Sequence, residues 1–446
     1  MQTHEIPTDL ITPLSAYLRL RDHAASTFLL ESVERGRLGR HSFVGCGSRS
    51  CSFEEAERRR EPVVGYLAYD YVTRLEPTVP LPAEGPELPE SAFVVPDLLV
   101  RFDHVRGVAD VLHGDAELPS SLGIGTVPIE GLSLNAPVPR PGRTRRSPDA
   151  RTYEEQVRRA QTHIRDGDAF QIVLSQRAER PTEANAVALY RALRRVNPSP
   201  YLFLLELDGL ALIGSSPETL VKAEGRRASL NPIAGTVPRG PGDAERLLAS
   251  EKDRAEHVML VDLGRNDLSR VCIPGTVHVE RFLDVEPYSH VTHLVSQVDG
   301  ELREDVSHFD LLRACFPAGT VSGAPKVRAM QLISELEGYR RGPYAGAVGY
   351  VLPAAPPPGR AVHPRVRLNR PVDTSEPTTE RLAGAPLAVV DTCIAIRTIV
   401  LRGGVAYLQA GAGIVADSDP STEHAECLHK LAALEAAIDL AEGITR

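Results

Sequence analysis

The 446-residue chain lacks most of what would mark a secreted, zinc-thiolate or nucleic-acid-binding protein. Its six cysteines (Cys46, Cys51, Cys272, Cys315, Cys393 and Cys427) are scattered, with no CxxC pair and no Cys/His cluster of zinc spacing. That pattern predicts reduced, mostly buried thiols rather than a disulfide framework or a zinc site. No run of about 18 apolar residues occurs, so no transmembrane helix is expected. The opening segment MQTHEIPTDLITP lacks the basic stretch and apolar run of a secretory signal. These absences predict a cytoplasmic protein with no membrane partner. A basic surplus is missing too. The formal net charge of -9 excludes broad nucleic-acid binding, which needs a cationic face to displace counterions. A small anionic ligand stays open, because a local Arg, Lys or metal ion overrides the global sign.

Hydrophobic residues at 42% and charged residues at 24% are ordinary values that allow a sizeable core. Residues 1–113 carry strand-like runs at 28–33 and 63–71 between turn-rich segments. Residues 114–148 are rich in Pro, Gly and Ser and end in a basic run from Arg143 to Arg146, which reads as a linker with a solvated turn. In the third part, 149–446, the pattern sharpens. Tyr153, Val157, Ala160 and Ile164 recur at helical spacing, stopped by Gly167. A strand at 170–175, a helix at 186–195 and strands at 202–207 and 210–213 follow, with helices around 243–262, 308–315, 325–337 and 422–441. Hairpin-like turns at 206–209 and 402–404 indicate antiparallel pairing, so the expected class is α+β rather than a doubly wound parallel sheet. Residues 353–386 are dense in Pro, Arg, Thr and Glu without a period and read as a mobile surface insertion.

Two helices carry acids in a telling position. Cys427, Leu431, Leu434 and Ile438 form an apolar stripe, and one turn further back the same face carries Glu423, with Glu426 at i+3. Asp253 and Glu256 repeat the i, i+3 spacing beside Met259 and Leu260. A carboxylate aimed at a core is costly unless paired or metal-bound. Oxygen ligands without Cys or His favour magnesium over zinc, although exposed acids paired with Lys or Arg give the same spacing. Two segments of small residues are candidate anion sites: QAGAGI (409–414), read as a turn after a strand at 406–408, and FPAGTVSGAPK (316–326), which leads into a helix. Neither matches a phosphate-binding Walker loop or a GxGxxG turn.

Ten ordered strings carry a resemblance: FQIVLSQR (170–177), NPSPYLF (197–203), SSPETL (215–220), PIAGTVPRG (232–240), DRAEHVMLVDLGRND (253–267), YSHVTHLVS (288–296), FPAGTVSGAPK, RRGPYAGAVGY (340–350), DTCIAIRT (391–398) and QAGAGIVADS (409–418). They resemble the chorismate-utilising enzymes, most closely the anthranilate synthase component I type, across 150–446 apart from the insertion. A weaker match runs through LLES (29–32), GYLAYDYV (65–72) and RFDHV (101–105).

The resemblance implies antiparallel sheets packed as a sandwich with helices outside. It implies Mg²⁺ held by Glu256 and Glu426, with Asp253 and Glu423 close by, and Glu218 as the general acid for the C4 hydroxyl of chorismate. Gly235, Thr236 and Lys430 would meet the ring carboxylate. Arg397, Tyr344 and the amides of Gly411 and Gly413 would meet the enolpyruvyl carboxylate, and Thr320 would line the site. Relatives that add water carry Lys where this chain has Gln171, and relatives that aminate at C4 carry Lys where it has Ala234. Both differences imply ammonia attack at C2. His293 matches the family histidine linked to pyruvate elimination, which implies anthranilate as product; the alternative is a synthase that stops at 2-amino-2-deoxyisochorismate. Ammonia would come from a separate glutamine amidotransferase subunit in a hetero-oligomer, since no nucleophilic Cys elbow occurs. Leu30, Glu31, Ser32, Asn197, Pro198, Ser199 and Tyr201 match a tryptophan feedback site. The chain departs from the family at Asn231, where Arg is usual before PIAGT, and at Cys427 and His429, where Thr and Asn are usual.

Overall fold

The computed structural model describes residues 5–34, 37–59, 61–115, 143–287, 291–353 and 388–443. The expected insertion at 353–386 therefore lies almost wholly outside the described residues. Of the expected linker at 114–148, the described end holds a short strand, Arg145–Ser147.

Side-chain alternation along the strands accounts for the architecture, because successive residues face opposite sides of a sheet. In Tyr201–Leu207, Phe203 and Leu205 lie on one face and Leu202 and Leu204 on the other, and all four are buried. Phe203 and Leu205 join Phe28, Leu212 and Val400 of the same twelve-stranded sheet. They meet Val64, Tyr66, Val94, Val348 and Cys393 of a ten-stranded sheet in one cluster, the interior of a sandwich. The opposite face of the larger sheet, with Leu29, Val44, Leu204, Ile213 and Leu408, packs on the helices Pro13–Leu20, Ala186–Val196 and Pro420–Ala441. A third cluster joins the outer face of the smaller sheet, through Val63, Leu67 and Val221, to the helices Ala150–Arg165, His308–Cys315 and Lys326–Glu337. The fold is α+β, with antiparallel ladders in both sheets.

Both sheets cross the compositional break near residue 149. Ser26–Glu31 pairs with Tyr201–Leu207, with Leu30 opposite Phe203, and Val63–Leu67 pairs with Ala347–Leu352. The helix expected from Tyr153 to Ile164 runs Ala150–Arg165, opened by Asp149, whose carboxylate accepts from Thr152 N at 2.8 Å. The helical region expected at 243–262 is two helices, Asp243–Ala249 and Glu251–Ser269. Ser250 separates them by taking an extended conformation and capping the second through Asp253 N.

QAGAGI is not a turn. It is the second half of one long strand, Val405–Ile414, paired with Gln171–Pro181 along its whole length. Small residues had suggested a loop, whereas here they let neighbouring side chains cross the strand. On its other edge, pairing with Thr398–Arg402 ends at Leu408 opposite Ile399, so the edge from 409 to 414 has no strand neighbour among the described residues.

Candidate active site

The site forms where the chain changes sheets. Leu210–Ser216 belongs to the larger sheet and Thr219–Glu224 to the smaller; Pro217 and Glu218 span the gap. Val389–Ile394 belongs to the smaller sheet and Thr398–Arg402 to the larger, with Arg397 in the return. The two crossings are tied together, since Ile394 N donates to Glu218 O at 3.0 Å and Ser215 N donates to Arg397 O at 3.1 Å. Arg397 has φ +50, a left-handed conformation that costs a non-glycine residue about 1–2 kcal/mol. Such strain persists only where surrounding contacts enforce it, and it clusters at functional sites.

Glu218 is half-buried and lines a small cavity with Thr320, so it keeps some solvent access while protein surrounds it. Burial pushes its carboxyl up to about 7 and the nearby Glu256 carboxylate pushes the same way; the Thr320 hydroxyl and the Lys430 ammonium oppose them. Thr320 Oγ1 is buried without a hydrogen bond of full geometry, close enough to Glu218 to be felt. Gln171 Nε2 donates to Glu256 Oε1 at 3.0 Å, while Gln171 Oε1 is buried and unpartnered. Gln171 lies directly over Gly413, where a Cβ would come within 2.5 Å of Nε2. At Gly411 a Cβ would come within 2.8 Å of the Tyr344 hydroxyl, and its carbonyl accepts from Lys430 Nζ at 2.8 Å. Lys430 also pairs with Glu426 at 2.7 Å, one turn back on the last helix. Glu218, Gln171, Glu256, Thr320, Lys430, Glu426, Tyr344, Gly411 and Gly413 therefore form one contiguous set.

The strand Ile233–Pro238 pairs with Val291–Glu301, and the register slips between Ala234 and Thr236. Gly235 sits at the slip with φ +65, a bulge that brings Thr236 opposite His293. His293 Nδ1 lies 3.0 Å from Gly235 O, so Nδ1 carries the proton and Nε2 is the basic nitrogen. Burial and the neighbouring Arg397 keep this imidazole below its ordinary pKa. A Cβ on Gly235 would lie 3.3 Å from that of Asp253, which places Asp253 against the bulge. Arg397 Nη1 donates to Asn197 Oδ1 at 3.0 Å, and no carboxylate of the described residues lies within ion-pair distance of it. A half-buried guanidinium with only a neutral hydrogen-bond partner is suited to an anion.

Glu423 is buried as the apolar stripe predicts, and desolvation and Glu426 raise its pKa. Lys430 is the one cation within ion-pair distance of Asp253, Glu256, Glu423 or Glu426 among the described residues, so the set favours a cation. Three oxygens bound to one magnesium would lie within about 4.2 Å of each other. The one group of three potential ligand atoms within 4.8 Å among the described residues lies elsewhere, at His278, Glu280 and Asp299, where Arg227 already grips Asp299. As arranged, at most two of the four acids can bind one ion directly, with water completing the shell. That fits magnesium, which dehydrates reluctantly, and Gln171 Oε1 offers a further oxygen.

The residues matched to a feedback site divide. Leu30, Glu31, Ser32 and Tyr201 line a separate cavity of about 370 Å³ that also takes in Asn231. Within it the Glu31 carboxylate is held by Arg194 at 3.1 Å and by the Tyr190 hydroxyl. Asn197, Pro198 and Ser199 do not line it; Asn197 ends the helix Ala186–Val196 and holds Arg397. Sequence reasoning did not single out Asp267, which lines a small cavity together with Glu218 and is paired with Lys326 at 2.7 Å, although both stand in strings quoted for the resemblance.

The chorismate binding enzyme family model matches residues 17–355 and 386–436. The chain is 41% identical to anthranilate synthase component 1 of Thermus thermophilus, covering 97% of this chain and 96% of that one. It is 42% identical to anthranilate synthase component 1 of Streptomyces coelicolor, covering 98% and 88%. The crystal structure of anthranilate synthase component I from Streptococcus pneumoniae superposes with a TM-score of 0.71 at 31% identity, covering 96% and 98%. The menaquinone-specific isochorismate synthase of Escherichia coli shares the fold with a TM-score of 0.73 at 23% identity, covering 98% and 94%. On the matched length, the identity and the shared sandwich, this chain belongs to the family of chorismate-binding enzymes.

Proposed function

We propose that this enzyme aminates chorismate at C2 with loss of the C4 hydroxyl, then eliminates pyruvate to give anthranilate, the entry to tryptophan biosynthesis. The carrying observation is the half-buried Glu218, raised to about 7 by desolvation and near Thr320 and Glu256, with no lysine at either position, 171 or 234, that would divert the chemistry. A carboxyl held near neutrality can deliver a proton to a leaving hydroxyl. Gln171 cannot deprotonate water, so the attacking group must already be nucleophilic, which ammonia is. Ala234 cannot form the covalent adduct at C2 that the C4-aminating route uses.

Arg397 and the strand edge at Gly411–Gly413 would hold the enolpyruvyl carboxylate, with Tyr344 packed behind. Thr236 and the Gly235 bulge would flank the ring. Glu256 and Glu426 would hold Mg²⁺, with Asp253 and Glu423 acting directly or through water. When bound, the ion supplies Lewis-acid neutralisation of the ring carboxylate. His293, with Nε2 the basic nitrogen, would take the proton lost as pyruvate leaves and the ring aromatises. Reduced, buried cysteines fit a cytoplasmic setting. Ammonia would come from a separate glutamine amidotransferase subunit, as the component 1 designation of the relatives suggests.

The test is incubation of the purified chain with chorismate, Mg²⁺ and ammonium. Blue-fluorescent anthranilate and equimolar pyruvate are expected. An aminated product without pyruvate would leave only the first half-reaction, and turnover without ammonium would overturn the choice of nucleophile.

A further inference from the structure

Glu218 lines a compartment of about 50 Å³ whose walls also include Thr320, Leu263, Asp267 and Cys315. That is room for a few waters. Outside it is a far larger groove of about 980 Å³, formed by the helices Glu251–Ser269, His308–Cys315 and Lys326–Glu337. The two spaces share two lining residues, Leu263 and Asp267, one turn apart on the same helix. Leu263 seals its part of the wall: its Cδ2 lies so near Gly319 that a Cβ there would be 2.0 Å away. The polar part is Asp267, only 6% exposed, whose Oδ2 accepts from Lys326 Nζ at 2.7 Å while Oδ1 has no hydrogen-bond partner among the described residues. Lys326 reaches the Cys315 carbonyl at 3.5 Å. Asp267 is thus the ionisable group common to the compartment and the groove.

We propose that this compartment is the water conduit of the general acid, gated by Asp267 and Lys326: the displaced hydroxyl leaves through it as water, and the proton that restores Glu218 enters by it. The inference rests on Glu218 being the general acid. In each turnover Glu218 gives its proton to the C4 oxygen, the C4–O bond breaks with its electron pair on oxygen, and one water departs, leaving a carboxylate. The ammonium formed at C2 sheds a proton to solvent, so one proton must return to Glu218 from solvent. Burial raises the Asp267 carboxyl, which helps it pass a proton on. Asp267 never touches substrate; it acts through the water between it and Glu218, relaying the proton that Glu218 takes up.

In Asp267→Asn, kcat should fall about 10-fold while the KM for chorismate stays within about twofold, because proton return is slowed and substrate binding is not. The solvent deuterium isotope effect on kcat should rise, and formate, a small weak acid, should restore kcat in proportion to its concentration. Asp267→Glu should keep near-normal rates. A folded Asp267→Asn enzyme with unchanged kcat and isotope effect would overturn the conduit. If that variant does not fold, a high-resolution crystal structure of the unmodified enzyme decides: waters joining the two carboxyl groups support it, and a dry compartment overturns it. Glu218→Gln serves as the control. It should be inactive with or without formate, and activity there would sink the general-acid reading itself, whatever Asp267 does.

Discussion

The strained protonation of Glu218 can be weighed without any substrate, by asking how Glu218→Gln changes stability with pH. Holding this carboxyl near 7 instead of its ordinary 4.5 withholds up to ~3 kcal/mol from its ionised form, discounted to ~2–3 kcal/mol because the cleft admits solvent. Below pH 4.5 the group is protonated in both folded and unfolded chains and contributes no pH dependence. As pH rises, the unfolded chain ionises first, so stability drains away until the folded group also ionises near 7, and then the loss levels off. Glutamine cannot ionise, so the variant escapes that loss. Differencing the two proteins cancels every titration that is not coupled to Glu218.

An unfolding entropy of about 2.1 cal/mol/K per residue gives this chain about 0.9 kcal/mol/K, so the expected change in the Tm difference is ~2–3 °C in favour of the variant between pH 4.5 and pH 8. Scanning calorimetry in EDTA, at matched scan rates, reads it directly. Parallel Tm curves for the two proteins would mean that Glu218 titrates normally, and the argument for a resident general acid would fail. The matching kinetic expectation is a wild-type rate that declines as pH rises through the pKa of Glu218.

Other parts of the site make separate predictions. Glu426→Gln should lower turnover about 100-fold at fixed Mg²⁺, partly restored by excess Mg²⁺, with little change in Tm because the lost Lys430 ion pair is half-exposed and worth ~0.3–0.5 kcal/mol. Near-normal activity at ordinary Mg²⁺ would remove Glu426 from the metal site. Gly413→Ala introduces a Cβ 2.5 Å from Gln171 Nε2, so Gln171 must leave Glu256. A loss of about 10-fold or more in kcat/KM with the fold intact is expected, and full activity would show that the Gln171–Glu256 contact is idle. The chain contains no tryptophan, so the fluorescence of added L-tryptophan reports binding without background. Binding that Ser32→Ala weakens about 10-fold, with the uninhibited kcat unchanged, would support the 370 Å³ cavity as the feedback site; saturable binding that Ser32→Ala leaves untouched would exclude it.

Much of this arrangement is legible in the sequence where a local period reports burial. The stripe Cys427, Leu431, Leu434 and Ile438 put Glu423 on the inward face, and it is buried. Tyr153 through Ile164 announced a helix whose cap, Asp149, stood beside it. Period fails where tertiary contacts decide. QAGAGI looks like a loop because four of its six residues, two Gly and two Ala, are poor β-formers, yet Gln171 and Tyr344 need the glycine positions to cross the strand. Ser250 broke one expected helix into two, since a capping hydroxyl outweighs continued apolar spacing. Asp267 stands in register with Leu260 and Gly264 on the buried face of its helix, but spacing cannot say what it faces. Its place between two cavities is a property of the packed helices.

The chemistry collects where sheet rules lapse. A ladder in mid-sheet satisfies its backbone groups and leaves few free polar atoms, so it is a poor place to grip an anion. Around the cleft the ladder lapses at the Gly235 bulge, at the crossings at Glu218 and Arg397, and at the strand edge past Leu408. All of these bring residues to the cleft because the two sheets that enforce them are the same two sheets throughout. The strain at Arg397 is then sustained by sandwich packing many residues away, and the electrostatic cost at Glu218 is sustained the same way. A site built on such lapses is preorganised before ligand arrives, since relaxing any one of them would require moving a strand shared with the core. Loosening the core near Phe203 should therefore harm catalysis before it unfolds the chain.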